Sequence, residues 1–146
     1  MAFETAKRFS DNIAKLPSGR ELFIEAMKQG QVSAQIIDLN QKQMYDFGVD
    51  SKGVTLGEYA PLTKMLKAQK GQKISNVTLK DTGEFYDSMK VKFEFQILIT
   101  GDMKKPDTDL ETIYPFALGL TEENKEEILP EIKERIIENI RKSIAA

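Results

Sequence analysis

The sequence is 146 residues long, 40% hydrophobic and 30% charged, and its 21 basic and 23 acidic residues leave a net charge of −2. That length suits one domain with one real core, and the charge balance gives no global basic excess of the kind a dedicated nucleic-acid binder carries. Cys, His and Trp are absent, which excludes disulfides, thiolate metal sites, Cys nucleophiles and the Ser-His-Asp triad, and removes the commonest general base.

The amino-terminal third reads as helical. Phe3, Ala6, Phe9, Ile13 and Leu16 recur at spacings of three and four, the period of one helix face. Pro17-Ser18-Gly19 ends that helix, and Ser18 with Glu21 forms a capping box for the next. Leu22, Phe23, Ala26 and Met27 are its apolar stripe, and Gly30 is its stop. A third helix is predicted over residues 33–46, with Ile36, Ile37, Asn40, Met44 and Phe47 on or near one side. Residues 48–57 hold three glycines and read as a loop.

Pro61 suits a first helical turn, so a helix is predicted over 61–70 with Gly71 ending it. A short strand is predicted over 76–80, from the extended preference of Val77, Thr78 and Leu79. Asp81 and Glu84 have the spacing of a second capping box. From Met89 to Thr100 apolar Met89, Val91, Phe93, Phe95, Ile97 and Ile99 alternate with a second set, which predicts one long strand that bends or projects. Asp107 or Thr108 is the expected cap of a short helix reaching Tyr114. Thr121 is the expected cap of a carboxy-terminal helical region that Pro130 divides in two. Ile132, Ile136, Ile140 and Ile144 step by four in its second half.

The sum is α+β: several short helices on a small antiparallel sheet, with helical ends. The expectation is a single domain over 1–146, with a helical part (1–47), a middle of loop, helix and antiparallel strands (48–106), and a helical carboxy-terminal part (107–146). No run approaches the ~20 apolar residues that cross a bilayer. The early acid Glu4 and the lack of a long apolar run make the amino terminus unlike a signal peptide.

Charge is uneven. Residues 58–80 carry five lysines (Lys64, Lys67, Lys70, Lys73 and Lys80) against one acid, whereas residues 107–146 carry ten acids against five basic residues. The ordinary reading of each stretch is a solvated surface. Two further readings are a basic patch that meets the acidic face of another copy, or one that meets passing nucleic acid.

Chemical motifs are few. Asp81-Thr82-Gly83 spells the aspartic-peptidase triplet, but Lys80 and Glu84 flank it where a buried dyad needs apolar and small neighbours, so the cap reading is preferred. Asp50-Ser51 lacks the later acids of a calcium loop. Gly48, Gly53 and Gly57 lack the Gly-Lys-Ser/Thr of a phosphate loop. Tyr45, Phe47 and Tyr59 read as core aromatics rather than a base-stacking platform.

The middle of the chain resembles the phage virion morphogenesis and tail-completion (neck) proteins. The resemblance rests on Gly57-Glu58-Tyr59-Ala60-Pro61-Leu62-Thr63, the lysines that follow, and Leu79-Lys80-Asp81-Thr82-Gly83-Glu84-Phe85-Tyr86-Asp87-Ser88 ahead of a strand. Tyr59 stands where many members have Trp, and Phe85 where Leu is common. Leu118-Gly119-Leu120-Thr121-Glu122-Glu123-Asn124 is similar to small structural proteins of phages that infect gut Bacteroides, including crAss-like phages.

The resemblance implies a non-enzymatic virion protein with no catalytic residue, cofactor or metal, made in the host bacterial cytoplasm and placed in the neck. Its partners would be further copies in a ring of 6 or 12, a portal or adaptor ring, tail proteins and, transiently, double-stranded DNA; no membrane is implied. The motif residues Gly57, Tyr59, Pro61, Leu62, Thr63, Leu79, Thr82, Gly83, Phe85 and Ser88 would be structural. Lys64, Lys67, Lys70 and Lys73 would face a neighbour or the lumen, and residues 48–57 and 70–77 would reach adjoining rings. The competing expectation is a small cytosolic binding or regulatory protein that acts through its carboxy-terminal amphipathic helix.

Overall fold

A computed structural model describes residues 2–28, 31–93 and 96–145, apart from the side chains of residues 2–5, 9 and 13. The elements are α1 (Ala2–Ala14), α2 (Gly19–Lys28), α3 (Val32–Tyr45), α4 (Pro61–Gln69), α5 (Glu84–Asp87), β1 (Lys90–Phe93), β2 (Ile97–Thr100), α6 (Leu110–Ile113) and α7 (Glu122–Ala145). The class is α+β, with helices around a two-stranded antiparallel sheet.

Local chemistry sets several helix ends. The Ser18 N–H donates to Glu21 Oε2 at 3.1 Å and the Glu21 N–H to Ser18 Oγ at 3.3 Å, a reciprocal capping box that starts α2. Pro61 occupies the first turn of α4, and Gly71 follows its end at φ +70. Thr121 Oγ1 accepts the Asn124 N–H at 3.3 Å and opens α7. The α1 stripe rests on Phe3, Phe9 and Ile13, whose side chains lie outside the described residues, as does Gly30.

Two apolar clusters form the core. One joins Met27, Val32, Ile36, Leu120, Ile128 and Ile132, so that α2, α3 and α7 close on one another. The other gathers Met44, Leu56, Val77, Phe85, Tyr86, Met89, Met103, Leu110 and Ala117. The helix α3 serves both, through Ile36 and Met44, and Ile99 packs against each. Phe47, expected on the inner side of α3, lies past its end and is 76% exposed; Tyr45 and Tyr59 do pack on the second cluster.

The long strand is a hairpin. Lys90 pairs with Thr100, Val91 with Ile99, Lys92 with Leu98 and Phe93 with Ile97. Three residues separate the strands, two of them, Glu94 and Phe95, outside the described residues. A connection of odd length pairs odd positions with odd ones. The alternation therefore passes through the reversal unbroken, and a period of two cannot tell one strand from two. Val91, Phe93, Ile97 and Ile99 all face the α2–α3–α7 cluster.

Other expectations are corrected. Residues 76–80 form no strand: Leu79 has φ +57, which breaks an extended run. The N-cap of α5 is Gly83 at φ 93, not Asp81, because a left-handed residue there suits glycine. The cap of α6 is Asp109, whose carboxylate accepts the Thr112 N–H at 3.2 Å and its hydroxyl at 3.0 Å. The Thr108 backbone is instead taken up in a turn with Lys105. Pro130 lies within one continuous α7. Its ring is on the exposed side, and burial of Ile128, Ile132 and Ile136, worth about 1.5–3 kcal/mol each when complete, outweighs the hydrogen bond the proline forfeits.

Candidate functional site: an outward-facing helix on a braced loop

The motif residues around α4 are chiefly braces. Gly57 accepts the Val77 N–H at 3.1 Å through its carbonyl. The Tyr59 hydroxyl accepts the Thr78 N–H at 2.9 Å and lies 3.1 Å from Thr78 Oγ1. The Tyr86 hydroxyl donates to the Thr78 carbonyl, so two tyrosines satisfy a threonine that is 1% exposed. Burial pushes the Tyr86 phenol well above the ordinary tyrosine range, with Tyr59, Tyr45 and Asp46 acting in the same direction. Phe85 is fully buried. Ser88 Oγ donates to the Phe85 carbonyl at 2.7 Å and accepts the Asp102 N–H at 2.8 Å, which ties α5 to the segment after β2. Thr82 Oγ1 accepts the Glu84 N–H at 3.4 Å.

None of the residues of α4 is buried, and the helix is turned apolar side out. Leu62, Met65 and Leu66 are 64%, 53% and 49% exposed, whereas Thr63, Lys64 and Lys67 on the other side are partly covered. Lys67 explains the orientation. Its ammonium donates to the Lys80 carbonyl at 3.2 Å and to Gln72 Oε1 at 3.3 Å, and sits 4.8 Å from the Tyr59 ring centroid.

The four candidate lysines therefore have different surroundings. Lys73 donates to the carbonyls of Tyr45 and Asp46 at 2.7 and 3.3 Å, a positive charge at the end of α3. Lys67 is held in the fold. Among the described residues Lys64 and Lys70 make only long, exposed ion pairs, with Glu58 at 3.4 Å and Asp81 at 3.5 Å. A cleft of about 510 Å³ lies between α4, the Leu79–Asp81 turn and the Lys105–Thr108 turn.

Asp81, at the rim of that cleft, is exposed. The Gln72 side chain first, then Lys70 and Lys67, hold its carboxyl below the usual range. That environment favours a lone ionised carboxylate rather than one of a pair sharing a proton. Asp50 Oδ1 accepts the Lys52 and Val54 N–H groups at 2.8 and 3.0 Å, so it closes a turn. Among the described residues no cluster of three acids could hold a metal ion, and no helix is long and apolar enough to cross a membrane.

A second set of braces carried no motif in the sequence. Asn40 and Gln43 on α3 are buried. Asn40 donates to the Ala117 carbonyl and accepts the Gly119 N–H, both at 3.0 Å. Gln43 donates to the Gly119 carbonyl at 3.0 Å and accepts from the Thr121 N–H and from Asn124 Nδ2 at 2.9 Å. A Cβ at Gly119 would stand 2.9 Å from Ser51 Cβ, so loop 48–57 packs directly on this segment. Asn40 could have been singled out as a polar residue on an apolar helix face.

No family model, curated protein or solved structure matches the chain.

Proposed function

We propose that the chain is a non-enzymatic structural subunit of a phage virion, building a ring in the head–tail neck, of tail-completion type, through which double-stranded DNA passes. The observation that carries this reading is α4. Its apolar side faces solvent while the side bearing Lys67 faces its own chain, an arrangement that suits a subunit awaiting a neighbour better than a finished monomer. Most of the motif residues are engaged in hydrogen bonds or core packing, and Leu62 is exposed on α4, which fits a protein whose product is a shape.

Six or twelve copies would close the ring, with portal or adaptor and tail proteins above and below. Lys70, exposed, and Lys64, partly covered, are both loosely paired and are the lysines of the four best able to face a neighbour or the lumen. DNA contact there is weak and screened by salt, as a conduit requires.

The test is quantitative mass spectrometry of gradient-purified particles from the phage or induced prophage that carries this sequence, scaled to the portal protein. A fixed ratio near about one or one-half is expected for a symmetric ring. Absence from particles would remove the proposal.

A further inference from the structure

We infer that the exposed ridge of α4 docks on the amino-terminal half of α7 in a second copy of this chain. The inference rests on the ring reading and names the two faces that would meet. Leu62, Met65 and Leu66 have the i, i+3, i+4 spacing with which a helix presents anchors to a partner. Lys70 stands beside the ridge at the end of α4, and Lys64, on the partly covered side, keeps 38% of its side chain open to solvent; their ion pairs, at 3.5 and 3.4 Å, are ones that a better-placed carboxylate can replace. The α4 sequence itself contains no acid.

The complementary face is on the same molecule. The inward side of α7 is occupied by packing against α2 and α3. Its outward side begins with Glu122, Glu123, Glu126 and Glu127, all exposed, with Lys125 among them. Leu129, 44% exposed, follows directly and supplies the apolar contact the ridge needs. A positive, apolar face that meets a negative face with an apolar residue beside it is a head-to-tail contact. Each copy added leaves one face of each kind free until rotation closes the ring.

The test uses the full chain in sedimentation velocity at low salt. Wild type is expected to associate with rising concentration, above its 16.5 kDa monomer mass, and to dissociate in high salt. K64E/K70E and E123K/E126K are each expected to remain monomeric, because each presents two faces of like charge. An equimolar mixture of the two restores association, since each then offers the face the other lacks. The chain has no Cys, so M65C/L129C gives an independent readout that does not depend on the charge variants folding well. Oxidation should yield a ladder of disulfide-linked multimers.

A wild type that stays monomeric at every concentration overturns the inference. So does association of both reversed variants like wild type with no ladder from M65C/L129C. Neither result touches the particle copy number, which judges the neck proposal separately.

Discussion

At the residue scale, Thr78 shows how the chain holds an irregular segment inside its core. Residues 76–80 form no ladder, yet the Thr78 N–H and C=O are both satisfied, by Tyr59 and Tyr86. Tyr86→Phe leaves that buried carbonyl without its donor, and the expected cost is about 1–3 kcal/mol in chemical denaturation at neutral pH. The same phenol makes stability depend on pH. Its folded pKa lies above the ordinary value of 10.0, so its contribution is complete below that pH and is lost as pH rises through the folded value. Stability should therefore decline above about pH 10, and the decline should be shallower in Tyr86→Phe; equal slopes would contradict the assignment. Tyr114, also raised by burial, adds to the slope that remains. Gly48 makes a sharper case: its φ is +62 and an added Cβ would stand 2.8 Å from Asn76 Nδ2. Gly48→Ala should cost about 1–3 kcal/mol, read as a lowered denaturation midpoint. Glycine-rich composition marked the loop, but the close approach of Asn76 depends on a side chain 28 positions away, which local composition does not encode.

At the element scale, legibility followed the range of the determining interaction. The Ser18–Glu21 box, Pro61 at the start of α4 and Thr121 at the start of α7 are contacts within four residues, and each was readable. The hairpin was not, because an odd-length connection without Gly, Pro or Asn preserves the alternation and shows no turn signal. Pro130 misleads for the opposite reason: a strong local breaker is overridden by tertiary burial of the isoleucines around it. That balance can be measured. Pro130→Ala restores an N–H inside α7 at an exposed position, gaining up to ~3 kcal/mol of helix propensity against ~1 kcal/mol from a freer unfolded chain. A net stabilisation of about 1–2 kcal/mol is expected in denaturant midpoints. A loss would mean that the proline sets a bend on which the packing against α2 depends. The Asn40–Gln43 clamp joins residues 76–81 positions apart, and no local pattern could show it.

At the scale of the whole molecule, α3 and α7 link the parts of the fold. The helix α3 serves both apolar clusters, and α7 closes the one that α2 begins. The isoleucine stripe of α7, Ile132, Ile136, Ile140 and Ile144, suits either a core or a partner seam; the structure places Ile132 in the interior and Ile136 against it, with Ile140 and Ile144 half-buried. Truncation after Leu129 tests what that placement is worth. It leaves Ile128 on the last turn of a frayed helix, removes Ile132 and Ile136, and uncovers Met27, Val32 and Ile36. At about 25 cal/mol per Å² of apolar surface returned to water, the loss of the five isoleucines beyond Leu129, Ile132 and Ile136 above all, and of their contacts approaches the whole of a typical margin of about 5–15 kcal/mol. The expected result is loss of a cooperative thermal transition and of dispersed amide resonances. A truncated chain that still unfolds cooperatively would make the second half of α7 dispensable to the monomer. Its isoleucines would then be free to serve as a seam for another protein, and the regulatory reading would gain at the expense of the ring. Retained folding together with unchanged association would show instead that the face needed by a neighbour ends with the acidic first turns and Leu129.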